Sequence, residues 1–307
     1  MQSDDVLAVL SHYGVKAAKF DEPLSRHTTW RIGGPADVFV TPTSVEGLQG
    51  VLRAAAQLDL PWTVIGRGSN LLVQDGGIRG LVIKLQDQFA EITVDGTQLT
   101  AQSGRSVVSA ANIAIKHDLG GLEFATGIPG SVGGAVMMNA GANGSEVKDA
   151  LLWAEVMDSN GSIHRLSNTD LQFRYRYSIL RERPLIVLKA AFGLYPANGL
   201  ELREKVQAWT RRRADTQPLS MPSCGSVFRN PPGTYAGQLV ELAGLKGLRH
   251  RNAQVSEKHA NFIVNLGGAK AADVLWLMRH VQDTVRDKFS VNLETEVRIV
   301  GEPTSGR

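Results

Sequence analysis

The sequence predicts an α+β protein in which short strands and helices are linked by glycine-rich joints. Three observations carry that reading. Apolar residues recur with helical spacing in some stretches and form short strand-like runs in others. The 32 glycines are numerous and unevenly placed, gathering where those stretches end. A length of 307 residues, at about 150 per domain, allows about two domains with sizeable cores. Hydrophobic residues make up 43% and charged residues 21%, which excludes wholesale disorder and a coiled coil.

In chain order, Ser3 is expected to cap a helix that runs to His12 and closes at Gly14. Residues 36–41 read as a strand ended by Pro42. Ser44 then caps a helix whose Val45, Leu48, Val51, Leu52, Ala55 and Leu58 keep helical spacing until Pro61 stops it. Strands follow at 62–66, 71–74 and 81–85, with a turn at 67–70. Residues 91–94 and 100–102 are strands around Asp95-Gly96, and 107–117 is helical. A long glycine-rich stretch covers 120–144. Residues 151–158 and 162–166 flank Asn160-Gly161, a strong hairpin signal, and 185–194 is an apolar strand. The last third predicts helices at 201–214, 235–243 and 271–289, with strands at 226–229, 254–256, 261–266 and 296–300. No repeat or long linker interrupts the chain, so three blocks are expected: 1–86, 87–197 and 198–307.

Lys plus Arg number 33 against 30 Asp plus Glu, a net charge of +3 without the basic block of a nucleic-acid arm. Arg211-Arg212-Arg213 is the densest basic run, and it reads either as a solvated helix end or as an anion site. The single cysteine, Cys224, excludes an internal disulfide and a cysteine-cluster metal site; no metal is expected. The start, Met1-Gln2-Ser3-Asp4-Asp5, is acidic where a signal peptide would be basic. No apolar run approaches the ~20 residues needed to span a bilayer. A cytoplasmic protein without nucleic-acid or membrane partners is expected, with a monomer as the favoured state.

Two glycine-rich loops are the main chemical signal. The first is Gly66-Arg67-Gly68-Ser69-Asn70-Leu71, directly after a strand. The second runs Thr126-Gly127-Ile128-Pro129-Gly130-Ser131 and on through Gly133, Gly134, Met138, Asn139, Ala140 and Gly141. Glycine lets a backbone turn tightly and approach a ligand, presenting N–H groups to an anion; tight turns in a glycine-rich fold are the other reading. Pro129 breaks the dinucleotide fingerprint, and no Walker motif is present. The seven histidines are scattered without ligand spacing. Arg174-Tyr175-Arg176-Tyr177-Ser178 suits bidentate recognition of a carboxylate or phosphate, or else forms a solvated strand. Around Cys224-Gly225-Ser226, neither a paired cysteine nucleophile nor a hydrolase elbow is supported.

Together and in this order, these segments resemble the UDP-N-acetylenolpyruvoylglucosamine reductase family. The resemblance starts at Pro23-Leu24-Ser25-Arg26-His27-Thr28-Thr29-Trp30-Arg31-Ile32-Gly33-Gly34-Pro35-Ala36-Asp37 and includes both glycine loops and Tyr175-Arg176-Tyr177-Ser178. It continues through Gly225-Ser226-Val227-Phe228-Arg229-Asn230-Pro231, Ala243-Gly244-Leu245-Lys246-Gly247 and Ser256-Glu257-Lys258-His259-Ala260-Asn261-Phe262-Ile263-Val264-Asn265. It ends at Glu296-Val297-Arg298-Ile299-Val300-Gly301-Glu302, so it covers nearly the whole chain.

The resemblance implies a two-part FAD-binding domain of the vanillyl-alcohol-oxidase type, 1–86 and 87–197, followed by an α+β substrate-binding domain, 198–307. It implies the shorter of the family's two forms, without a tyrosine-bearing insertion. FAD would be held noncovalently by the two glycine loops and reduced by NADPH. Hydride would then pass from flavin N5 to the enolpyruvyl methylene carbon of UDP-N-acetylglucosamine enolpyruvate, giving UDP-N-acetylmuramate. In these roles Arg176 and Glu296 would stabilise the developing enolate and Ser226 would protonate its carbon. An ionised carboxylate would repel the anionic substrate, so Glu296 is expected to carry a proton in that complex. Tyr175, Arg229 and Asn230 are the expected substrate contacts, with the diphosphate as the target of Arg229. Departures from the family pattern fall at Cys224, Asn143 and His250-Arg251-Asn252. Two alternatives remain: another oxidoreductase of this flavin fold acting on a small alcohol or hydroxy acid, and a flavin-free binding module.

Overall fold

A computed structural model describes residues 3–304; Met1 and Gln2, where the acidic start begins, lie outside the described residues. The chain divides into two units, neither of them one continuous stretch. Unit 1 takes the chain up to Phe20, Val38–Arg67 and Leu81–Arg211, and unit 2 takes Asp21–Asp37, Gly68–Gly80 and the chain from Arg212 onward.

Unit 1 has two cores. The first gathers α1 (Ser3–His12) and α2 (Val45–Gln57) with the parallel strands Trp62–Ile65 and Ile78–Lys84, paired from Trp62 opposite Leu81 to Ile65 opposite Lys84. Ser44 caps α2 as expected, its Oγ accepting from the Gly47 amide at 3.0 Å. Leu48, Val51, Leu52 and Ala55 of α2 are buried in the same core as Leu81 and Ile83.

The second core lies on an antiparallel sheet in the order Ile163–Ser167, Leu151–Met157, Ile186–Gly193, Gln98–Gln102 and Ile92–Asp95. Both expected hairpins are present, turning at Gly96 (φ +54°) and Gly161 (φ +82°). Apart from Lys189, strand Ile186–Gly193 is apolar because both cores use it. Ile186 and Leu188 join the first, while Val187 and Ala190 join the second, a register shift at Leu188 letting residues three apart share a face.

Helices α3 (Val107–Lys116), α4 (Val132–Met137) and α5 (Val147–Ala150) contribute buried residues to the second core. Helix α4 lies inside the long glycine-rich stretch 120–144. Its Gly133 and Gly134 oppose helix by propensity, but Val132 and Val136 are buried and the Ser131 Oγ accepts from the Gly134 amide at 3.3 Å. Helix α6 (Gly199–Thr216) extends the expected 201–214 segment. Arg211 and Arg212 are exposed near its end, in keeping with the solvated reading.

Unit 2 contains α7 (Ala236–Leu242) and α8 (Ala271–Phe289). A three-stranded sheet is formed by Arg249–His250, Ala253–Val255 and Ile263–Asn265, and Leu71–Val73 pairs in parallel with Arg298–Val300. Trp30, Phe228, Val240, Ile263, Leu277 and Val281 are central to its core. The Trp30 indole donates to the Ile263 carbonyl at 2.8 Å, satisfying the polar end of a fully buried ring. Asp75 caps α8 from far upstream, accepting from the amides of Ala271 at 2.8 Å and Ala272 at 3.0 Å.

The strand expected at 226–229 does not form; a single bridge joins Phe228 to Thr295. At the departure from the family pattern, the His250 ring stacks on Trp276 at 4.1 Å. Among the described residues, no helix is long and apolar enough to cross a membrane, and no group of three or more His, Cys, Asp or Glu is arranged to hold a metal ion.

Candidate active site

In unit 1 the two glycine loops meet. A Cβ at Gly66 would meet the Ser131 hydroxyl, which would have to turn away and give up its bond from the Gly134 amide. Gly66 follows the carboxyl end of strand Trp62–Ile65, and Lys84 is the last residue of the parallel strand beside it. Carboxyl ends of parallel strands are favoured places for ligands. Lys84 is half-buried; burial, then the nearby positive charge of Arg67, hold its pKa below the usual lysine range. Two cations held near each other beside glycine-rich backbone make a donor set that fits a diphosphate. Lys84 was not anticipated from sequence, although a lone lysine ending the apolar run Leu81-Val82-Ile83 was a usable signal.

The rest of the second loop is tied down internally. Thr126 Oγ1 donates to the Glu123 carbonyl at 2.8 Å, and the Gly130 amide donates to Ile128 at 2.8 Å. Ser131 is buried, and the Met138 amide donates to Gly134 at 3.1 Å. Asn139 is fully buried and wired to Glu146, Lys148 and Arg174. Pro129, Gly127 and Gly133 lie along the same loop, with Pro129 exposed. Arg176 sits at the tip of a tight turn, and its Nη2 donates to the Gly141 carbonyl at 3.1 Å. Its guanidinium also lies 4.9 Å from the ring centre of the exposed Tyr175.

Unit 2 brings the segments carrying Ser226 and Glu296 side by side. The Glu296 amide donates to the Val227 carbonyl at 2.8 Å, so the residue following Ser226 is bonded directly to Glu296. Asn70 reinforces this place: its Nδ2 donates to the Glu296 carbonyl at 3.1 Å and its carbonyl accepts from Arg298 at 3.1 Å. In the same loop, Gly68 (φ +66°) is packed against the His27 carbonyl, where a Cβ would collide, and Leu71 opens a strand opposite Arg298.

Cys224, two residues before Ser226, is buried. Burial, and then the charge of Glu296, push its thiol well above the ordinary range, so it is an inert neighbour rather than a nucleophile. His259 accepts the Asn261 amide on Nδ1 at 3.2 Å, and burial holds its pKa down, which keeps it neutral and structural.

Arg229 Nη1 pairs with Glu294 at 3.1 Å, while its buried Nε has no partner among the described residues. Asn230 Oδ1 accepts the Ala236 amide at 3.1 Å, helping to start α7. Ser69 is half-buried in the first loop. Of the three expected catalytic residues, Arg176 belongs to unit 1, and Ser226 and Glu296 belong to unit 2.

Comparison with known proteins bears on what this arrangement serves. The profile of the UDP-N-acetylenolpyruvoylglucosamine reductase C-terminal domain matches residues 217–300, and that of an FAD binding domain matches residues 36–167. UDP-N-acetylenolpyruvoylglucosamine reductase of Halalkalibacterium halodurans is 48% identical over 288 residues, covering 94% of this chain and 96% of that protein. The enzyme of that name from Bacillus subtilis is 47% identical over 299 residues, covering 97% and 99%.

Among solved structures, UDP-N-acetylenolpyruvylglucosamine reductase from Thermus caldophilus superposes with a TM-score of 0.80 at 36% identity, covering 92% of this chain and 98% of that one. A berberine bridge enzyme variant, a reticuline dehydrogenase, gives a TM-score of 0.50 at 16% identity over 64% of this chain and 44% of its own, which shows a shared fold alone. The architecture is thus the expected one, an FAD-binding domain of the vanillyl-alcohol-oxidase type with a C-terminal α+β domain. The chain belongs to the UDP-N-acetylenolpyruvoylglucosamine reductase family and is an FAD-dependent oxidoreductase of peptidoglycan precursor synthesis.

Proposed function

We propose that the protein reduces UDP-N-acetylglucosamine enolpyruvate to UDP-N-acetylmuramate, using NADPH as reductant and noncovalent FAD. When bound, FAD supplies hydride chemistry at N5, with NADPH as the source. The glycine loops, Arg67 and Lys84 would hold its diphosphate. In this reading Arg176 and Glu296 stabilise negative charge developing on the substrate's carboxylate and the carbon beside it. Ser226 donates the proton to carbon; serine is a weak acid, but an enolate is a strong base. Tyr175, Arg229 and Asn230 contact the UDP-sugar, and the Nε of Arg229, without a partner among the described residues, suits a phosphate oxygen.

The observation that carries the reading is the bond from the Glu296 amide to the Val227 carbonyl, which sets the proposed acid and the proposed charge-stabilising residue on adjoining segments. A cytoplasmic location, a monomeric state and the subdivision at residues 86 and 197 go with it. The test is anaerobic. The protein is purified, its flavin absorbance recorded, NADPH added, and then UDP-N-acetylglucosamine enolpyruvate. Reoxidation of the flavin by that compound, lost in Ser226→Ala while reduction by NADPH survives, is the expected result. Flavin that the wild-type protein reduces but the enolpyruvyl compound leaves reduced would point to a different oxidoreductase.

A further inference from the structure

Residues 174–178 form neither a strand nor a free loop. Arg174 and Tyr177 exchange both backbone hydrogen bonds at 3.1 Å, leaving Tyr175 and Arg176 at the tip of a tight turn. Arg176 adopts φ +54°, a left-handed conformation that non-glycine residues avoid unless their surroundings impose it. The surroundings here are specific. Asn139 Nδ2 donates to the Arg174 carbonyl at 3.0 Å, the Ser178 hydroxyl donates to the Met137 carbonyl at 2.7 Å, and Arg176 Nη2 donates to the Gly141 carbonyl at 3.1 Å.

All three bonds land on residues 137–141, the end of the second glycine loop. Asn139 is itself immobilised, donating to Glu146 Oε2 at 2.8 Å and accepting the Lys148 amide at 2.9 Å. Asn139 and Ser178 are both fully buried, so water cannot replace these bonds. The Arg176 turn and the end of the loop therefore behave as one piece.

We propose that Ser178 and Asn139 are positioning residues that make the orientation of Arg176 depend on the state of the 137–141 segment, so that FAD binding presets the guanidinium for an anionic substrate. The inference rests on the reading of 137–141 as flavin-binding and of Arg176 as an anion-stabilising group. Neither Ser178 nor Asn139 need touch the substrate. Their effect is to restrict Arg176 to one arrangement before the substrate arrives, which lowers the ordering cost at that step.

The test uses the full chain, with and without FAD, as wild type, Ser178→Ala and Ser178→Thr. Amide hydrogen exchange is followed over 137–141 and 173–178 by mass spectrometry. FAD is expected to slow exchange about tenfold in both segments of the wild type. In Ser178→Ala the protection should persist at 137–141 and fall below about twofold at 173–178, and Ser178→Thr should restore it. In stopped flow, Ser178→Ala should keep its rate of flavin reduction by NADPH while kcat/KM for the enolpyruvyl substrate falls about tenfold.

Wild-type exchange at 173–178 that ignores FAD, or an alanine variant that behaves like wild type in exchange, would overturn the proposal. A variant that loses protection equally in both segments would also overturn it, since that marks a purely structural serine. If Ser178→Ala fails to fold, Ser178→Cys, nearly the same size with a weak donor, is read by the same criteria. The exchange measurement needs no substrate. A wild-type flavin left reduced by the enolpyruvyl compound would thus refute the proposed reaction without deciding the exchange result.

Discussion

Asn261 hydrogen-bonds both backbone polar groups of Phe228: its Oδ1 accepts from the amide at 3.0 Å and its Nδ2 donates to the carbonyl at 2.8 Å. One buried side chain does what a neighbouring strand would do. It also fixes the chain two residues beyond Ser226, and its own carbonyl accepts the Val227 amide at 2.8 Å.

Asn261→Ala strands two buried backbone groups of Phe228 at about 1–3 kcal/mol each, so a loss of about 2–6 kcal/mol is expected. Denaturant unfolding followed by circular dichroism measures it. A loss below about 1 kcal/mol would mean that water or a shifted strand takes over these groups.

The thiol of Cys224 is held protonated by burial and by Glu296. At about pH 8 the folded protein should react with a disulfide reagent at least about 100-fold more slowly than the unfolded chain. Rapid labelling of the folded protein would show that the segment around Ser226 opens readily. Because the raised pKa leaves little thiolate at neutral pH, raising the pH should increase the rate well beyond the range of an ordinary cysteine.

Glu123 is buried at the base of the second glycine loop, where its carboxylate accepts from Lys205 at 2.8 Å and from the Gly121 amide at 2.7 Å. Burial alone would raise its pKa, but the Lys205 bond and the backbone amides outweigh it and the pKa is lowered. A carboxyl depressed in the folded state adds stability above its unfolded pKa, and that stability is lost as pH falls through the folded value. Glu123→Gln should therefore show a shallower loss of stability than wild type on acidification below about pH 5, read from melting temperatures across a pH series. Parallel acid limbs would assign the pH dependence to other carboxylates.

Ser103 is buried, and its Oγ has no hydrogen-bond partner among the described residues. Its backbone is satisfied, donating to Leu188 at 2.8 Å and accepting from Gly133 at 3.0 Å. Ser103→Ala removes only the stranded hydroxyl, so the flavin-free protein should gain about 1 kcal/mol in a urea titration. Destabilisation would show that the hydroxyl has a partner, such as a bound water.

What the sequence alone determined was local. Helix α2 follows from Ser44, a helical apolar spacing and Pro61, and α8 spans Ala271–Phe289 as its periodicity predicts. The hairpins at Gly96 and Gly161, the two glycine loops and the ordered family motifs were equally legible. Each signal sits within a short window, where backbone sterics and side-chain periodicity act directly.

The tertiary structure decided what depends on where the chain returns. Helix α4 forms despite its glycines because Val132 and Val136 find a core to enter. The strand expected before Pro231 is replaced by the two bonds from Asn261, and Asp75 caps a helix that begins 196 residues later. The Arg176 turn takes its left-handed form because residues 137–141 supply its partners. An asparagine or aspartate reads the same in sequence whether it caps a helix, closes a turn or stands in for a strand. Only the folded chain, by excluding water and setting one donor against one acceptor, selects among these uses.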